Sequence, residues 1–294
     1  MRIDDYERSD NIDDRRGQGG GRRMGGGSSM LLVYLAQFVL SRFGVGGLVV
    51  LGGGFFLLSS LGLNPLTLSG GGGQSASGPI DRSYDQLIGA TLRSTEQVFA
   101  EVFAEQGLGR YPEPTLVLFQ YGVQTEGCGF AQSAVGPFYC PADRQVYIDT
   151  TFFDDLSRRF GAPGDFAQAY VIAHEVGHHI QTVTGVSGEV RRLQAQASSA
   201  AERNGYSVRL ELMADCLAGV WAGRTSIPLD RGDIQEAVVA AQAIGDDTLQ
   251  RRSSGKVMPD SFTHGTSEQR QRWFSLGYRQ RDISACDTLS AQRL

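Results

Sequence analysis

The chain has only four histidines, and three of them stand at positions 174, 178 and 179. They fall in the stretch Val171-Ile172-Ala173-His174-Glu175-Val176-Gly177-His178-His179-Ile180. On an α-helix, residues four apart lie one above the other on the same face, so His174 and His178 can aim imidazole nitrogens at one cation. Glu175 is displaced by about 100° around the helix axis, which puts it beside such a cation instead of over it. Two histidine ligands with a neighbouring glutamate able to take a proton from water is the chemistry of zinc-dependent hydrolysis. Phe166, Ala167, Tyr170, Val171, Ala173 and Ile180 give the segment helical apolar spacing. Gly177 costs a helix about 1 kcal/mol relative to Ala; a crowded metal site would account for it.

A catalytic zinc takes three protein ligands and keeps an open position for water. The metzincin form would need Gly and His where Gln181 and Thr184 stand, so the third ligand must come from elsewhere. Downstream, Arg209 to Trp221 reads as a strong helix, with Glu211 and Asp215 at i,i+4 on one face. Carboxylates among apolar residues are costly to bury unless paired or bound to metal. The economical assignment makes Glu211 the third ligand and Asp215 the acceptor for a ligand imidazole N–H. His264 is the competing ligand. Its other possible roles are a hydrogen bond to the developing oxyanion and a purely structural bond to backbone. His179 points off the ligand face and is expected to pack. Tyr139 and Tyr147 are further candidate oxyanion donors.

The elements that must position these groups read as α+β, a small sheet ahead of the metal-binding helix. Apolar spacing from Tyr84 to Gln106 predicts a helix stopped by Gly107. Thr115–Phe119 and Arg144–Asp149 read as strands, and the strand at 144–150 is the candidate edge for holding an extended substrate. Thr266-x-x-Gln269 is a capping box opening a helix through Arg270, Trp273, Phe274 and Leu276. Four cysteines without C-x-x-C spacing favour disulfides Cys128–Cys140 and Cys216–Cys286 over a cysteine metal site.

Composition divides the chain. Residues 1–29 are polar and glycine-rich, with Arg15, Arg16, Arg22 and Arg23 in two pairs, and read as a disordered tail. Residues 30–63 are the membrane segment, with Phe43–Leu63 free of charge and long enough to span a bilayer as one helix. Residues 64–82 are a Gly/Ser-rich linker, and 83–294 form the functional domain. Basic residues ahead of the span predict a single-pass cell-membrane protein, its N-terminus cytoplasmic and its domain periplasmic or extracellular. A net charge of −5 argues against nucleic-acid binding.

His174-Glu175-x-x-His178 followed by Glu211-x-x-Ala214-Asp215 is similar to the gluzincin pattern. With Cys128…Gly136-Pro137-Phe138-Tyr139-Cys140-Pro141, Glu211-Leu212-Met213-Ala214-Asp215-Cys216 and Ser261-Phe262-Thr263-His264-Gly265-Thr266, the chain resembles the bacterial neutral zinc metallopeptidases. Met213 stands where the pattern suggests a polar residue such as Gln. The resemblance implies a zincin-like domain behind one transmembrane helix, one zinc ion, and a protein or peptide substrate. The expected enzyme is a membrane-anchored zinc metallopeptidase with Glu175 as general base. The alternative is a non-proteolytic, membrane-anchored envelope assembly or interaction module with a structural zinc site.

Overall fold

The computed structural model describes residues 1–17 and 82–294, which form one compact unit. Its sheet is small. Strands β1 (Ile12–Asp14), β2 (Thr115–Phe119), β5 (Phe138–Cys140) and β6 (Gln145–Asp149) are ordered β1-β2-β6-β5, and β3 (Gly122–Gln124) pairs with β4 (Phe130–Gln132) in a separate ribbon. β2 runs parallel to both β1 and β6, with Leu116 opposite Ile12 on one side and Val146 on the other. β5 runs antiparallel to β6. The apolar runs in β2 and β6 are buried nearly throughout, as expected of strands covered on both faces.

The helices are α1 (Asp85–Glu105), α2 (Thr151–Arg158), α3 (Asp165–Val183), α4 (Val186–Gln196), α5 (Ala200–Arg224), α6 (Asp233–Ala243), α7 (Asp246–Ser254) and α8 (Ser267–Gln280). α1 turns Ile88, Leu92, Phe99, Val102 and Phe103 into the core. α3 is the central element, packed by α1, α5 and α6. Its buried residues surround the whole axis, the pattern of a helix enclosed on every side. Gly177 has a specific reason to be there: a Cβ on it would stand 3.0 Å from the Ala214 Cα and carbonyl oxygen. It lets the backbone of α3 approach α5, so the residue marks a helix crossing. At the start of α8 the capping box is present in full, Thr266 accepting from the Gln269 N–H and Gln269 accepting from the Thr266 N–H. Both disulfides form, Cys128–Cys140 and Cys216–Cys286.

Two expectations are corrected. The strand at 144–150 is not the edge, because β5 lies outside β6; antiparallel pairing after a short connection adds β5 to that side. Residues 1–17 are not part of a disordered tail. β1 extends the sheet, the Asn11 carbonyl and Arg15 N–H bond to Leu116 and Leu118, and Ile3, Tyr6 and Ile12 pack on the core. Gly89 in α1 leaves room for Arg8, whose side chain lies within 3.0 Å of where a Cβ would be. Among the described residues no helix is long and apolar enough to cross a membrane. The expected membrane segment, 30–63, and the linker up to residue 81 lie outside the described residues.

Candidate metal centre

α3 presents His174 and His178 one turn apart, and α5 brings Glu211 against both. The His174 Nε2 lies 3.2 Å from Glu211 Oε2, and the His178 Nε2 lies 3.5 Å from Glu211 Oε1. One ligand atom from each of the three residues falls within 4.8 Å of the others. His264 is not in this group, which removes it as the competing third ligand.

The remaining ring nitrogens are already engaged. The His174 Nδ1–H donates to Asp215 Oδ1 at 2.8 Å, and the His178 Nδ1–H donates to Gln181 Oε1 at 2.9 Å. Each bond fixes the tautomer that leaves an Nε2 lone pair facing Glu211, which is the donor set and outer support a zinc site uses. Asp215 is held in turn. The Arg270 Nε donates to its Oδ2 at 2.8 Å and Nη2 to its Oδ1 at 2.9 Å, while the Tyr170 hydroxyl donates to Oδ1. Gln181 is fixed by donating to the Leu210 carbonyl at 2.6 Å.

Electrostatics favour a cation at this point. Burial opposes charge on Glu211, yet the imidazoles of His178 and His174 hold its carboxyl well below the usual range. Burial likewise opposes ionising Asp215, but Arg270 and His174 bring its pKa down to about 2. Burial disfavours charge on His174 and His178 too, and the facing carboxylates overcome it and raise both. A proton or a metal ion satisfies the same field, and the donor chemistry fits zinc. Glu175 is different. Burial raises its pKa against the lowering effect of the two histidines. Among the described residues its carboxylate takes no hydrogen bond, and it opens onto a cleft of about 600 Å³.

That cleft runs between β5 and the helices, with Phe138, Phe152, Phe160 and Leu249 along it and Arg191 at one wall. His264 lines it as well, half exposed. Its Nδ1 lies 3.1 Å from Asp246 Oδ1, and Asp246 Oδ2 accepts the backbone N–H groups of Thr263, His264 and Gly265. The hydrogen bond to Asp246 raises the His264 pKa against a smaller opposing effect of burial.

Tyr139 borders the cleft, but its hydroxyl lies 3.2 Å from the His179 Nδ1. Tyr147 is fully buried in the second apolar cluster and donates to Asp143, so it is withdrawn as an oxyanion donor. His179 packs between Tyr111 and Tyr139 as expected. A second carboxylate cluster, Asp165, Asp233 and Glu236, has the Met1 amino group 2.9 Å from Asp165 as its cation. Arg270, Tyr170, Gln181 and Asp246 escaped the sequence reading. Only Arg270 gave a signal, as a charge on the apolar face of the helix behind the capping box.

Comparison with known proteins places the chain among zinc metallopeptidase relatives at the level of the family. The chain is 45% identical over 297 residues to "Uncharacterized protein YpfJ" of Escherichia coli (strain K12), covering 98% of each. It is 47% identical over 197 residues to "Uncharacterized protein Rv2575" of Mycobacterium tuberculosis (strain ATCC 25618 / H37Rv), covering 63% of this chain and 65% of that one. No solved structure matches significantly. The family described as "Putative neutral zinc metallopeptidase" matches residues 1–289, and the chain belongs to that family.

Proposed function

We propose that this protein hydrolyses peptide bonds as a zinc metallopeptidase of the gluzincin type, one zinc ion being held by His174, His178 and Glu211. The observation that carries the reading is the unpartnered Glu175 carboxylate, buried beside the three convergent ligands and open to the cleft. A structural site has no use for a base in that place.

Zinc held by these three residues would supply Lewis acidity, making water a better nucleophile near neutral pH and stabilising negative charge on the carbonyl oxygen. The chain's own groups do the rest. Glu175 takes a proton from the attacking water and delivers it to the leaving amine. Burial, which raises its pKa, makes it a stronger base for that transfer. His264 turns an imidazole into the cleft, held by Asp246, and donates to the oxygen on which charge develops. The outer edge of β5, beside the cleft, holds the substrate as an added strand, and the apolar wall excludes water around it. The charge-free run at 43–63 supports attachment to a membrane, and the two disulfides support a non-cytoplasmic domain.

The test is Glu175→Gln, assayed for bound zinc and for hydrolysis of a denatured protein substrate. The expected outcome is full zinc content with hydrolysis reduced by about 10²–10⁴-fold. Undiminished hydrolysis would remove Glu175 from the mechanism. A wild-type protein that binds zinc and hydrolyses no peptide bond would favour the structural-zinc module.

A further inference from the structure

The sequence reading placed residues 1–29 and the domain on opposite sides of a membrane. The fold does not allow it for residues 1–17. β1 is hydrogen-bonded along β2, and that is only part of the attachment. The Ser9 N–H donates to the Gly89 carbonyl. Asn11 Nδ2 donates to Glu96 at 2.9 Å, and Gln86 Nε2 donates to the carbonyls of Ile3 and Tyr6. The Tyr6 hydroxyl donates to Gln97. These contacts link one short segment to two elements of the domain core, and a bilayer cannot pass between them.

The points where the chain leaves and rejoins this unit are also tied together. Arg16 pairs with Asp85 at 2.8 Å, and Arg82 approaches Asp14 to 3.8 Å. The departing stem therefore touches the returning one. Glycine-rich stretches follow the first stem and precede the second, at 17–27 and 70–73, and such stretches permit a return.

Two of the basic residues ahead of the apolar run, Arg15 and Arg16, have other work. Arg16 is 4% exposed and joins Asp14 and Asp85; Arg15 pairs with Asp13. Neither is a free cation for the positive-inside rule, which counts basic residues close to a span; Arg22, Arg23 and Arg42 lie outside the described residues. The compartment is set instead by Cys128–Cys140 and Cys216–Cys286, which persist where the surroundings are oxidising.

We infer that residues 1–17 lie in the same compartment as residues 82–294, on the non-cytoplasmic side of the membrane that holds the apolar run.

The experiment uses the full chain in spheroplasts of a bacterial host, with Asp5→Cys or Ala195→Cys as the sole free thiol, since the native cysteines are all disulfide-bonded. Both positions are exposed. A membrane-impermeant maleimide is applied before and after detergent permeabilisation, and labelling does not depend on any hydrolytic activity. The expected result is equal labelling of both variants before and after permeabilisation. Labelling of Ala195→Cys in intact spheroplasts, with Asp5→Cys reached only after permeabilisation, would overturn the shared compartment. Labelling of both only after permeabilisation would overturn the non-cytoplasmic placement. Asp4→Cys serves as a second reporter should the position-5 variant fail to accumulate.

Discussion

Two histidine–aspartate pairs face the same cleft, and they are built for different work. In the first, Asp215 is fully buried and receives the His174 Nδ1–H, both arms of Arg270 and the Tyr170 hydroxyl. Both of its oxygens are engaged, Oδ1 by three donors and Oδ2 by one, which holds the His174 ring in place. In the second, Asp246 spends one oxygen on three backbone N–H groups and offers the other to His264, whose ring is about half exposed. There the carboxylate fixes a loop and leaves the far nitrogen of the imidazole free. In the proposed mechanism the first pair immobilises a metal ligand and the second presents a donor to a substrate. Burial and the number of partners make the difference, not the residue types.

That contrast can be broken in graded ways. Asp215→Ala should be the most damaging change, because it strands the Arg270 guanidinium in the interior. Losing one member of a buried ion pair costs about 3–5 kcal/mol. Loss of an outer partner also lowers metal affinity by about 10–100-fold. Urea unfolding and zinc titration would measure both, and a variant with unaltered stability would mean that Arg270 finds another partner. His264→Ala should leave zinc content intact and stability within about 1 kcal/mol, since a half-exposed pair contributes little. Its turnover should fall by about 10²–10³-fold, the size of a lost oxyanion donor. Zinc loss in that variant would merge the two pairs into one role.

His179 sharpens the comparison from the other side, as a buried histidine with no carboxylate at all. Burial lowers its pKa to about 4, only partly offset by the Pro112 carbonyl. A histidine whose folded pKa lies below its unfolded value stabilises the fold above pH 6.5 and loses that contribution as pH falls toward 4. Between pH 7 and pH 5 the metal-free protein should lose about 2 kcal/mol through this residue, and His179→Gln should remove that part of the decline. The smallest effect concerns the second pair. Asp246 raises the His264 pKa, so activity that needs the imidazolium is present at lower pH and lost as pH rises through that value. Asp246→Asn should move this alkaline limb of kcat/KM to lower pH. An unmoved limb would assign it to another group.

The first pair was half legible in the sequence and the second barely so, for a physical reason. His174, His178, Glu211 and Asp215 each belong to an i,i+4 pair within one helix, and helical geometry turns such spacing into position. The capping box at Thr266–Gln269 is equally local, as are the hydrophobic strands at 115–119 and 145–149. Arg270 reaches Asp215 across 55 positions, and Asp246 reaches His264 from another helix. Neither contact leaves a periodic trace. Met1–Gly17 failed for the same reason in stronger form. Its composition resembles a solvated tail, and three residues of strand in a polar stretch announce nothing until β2 is present to receive them. The edge position of β5 depends likewise on the order in which strands assemble. Gly177 was legible as an anomaly, but its cause is the backbone of Ala214 and not the metal.

The pairing of β1 with β2 also has a meaning in time. A ribosome releases the segment holding β1 first, and its partner strand begins only at Thr115, after the whole apolar stretch has emerged. Until then β1 has no strand to pair with, although α1 is already made and can receive Ser9 and Asn11. Pairings between distant segments form late because the intervening chain must first be brought to order. Completion of the sheet therefore waits on a partner strand about a hundred residues downstream. A chain in which residues 1–17 are kept away from Thr115–Phe119 has a sheet one strand short.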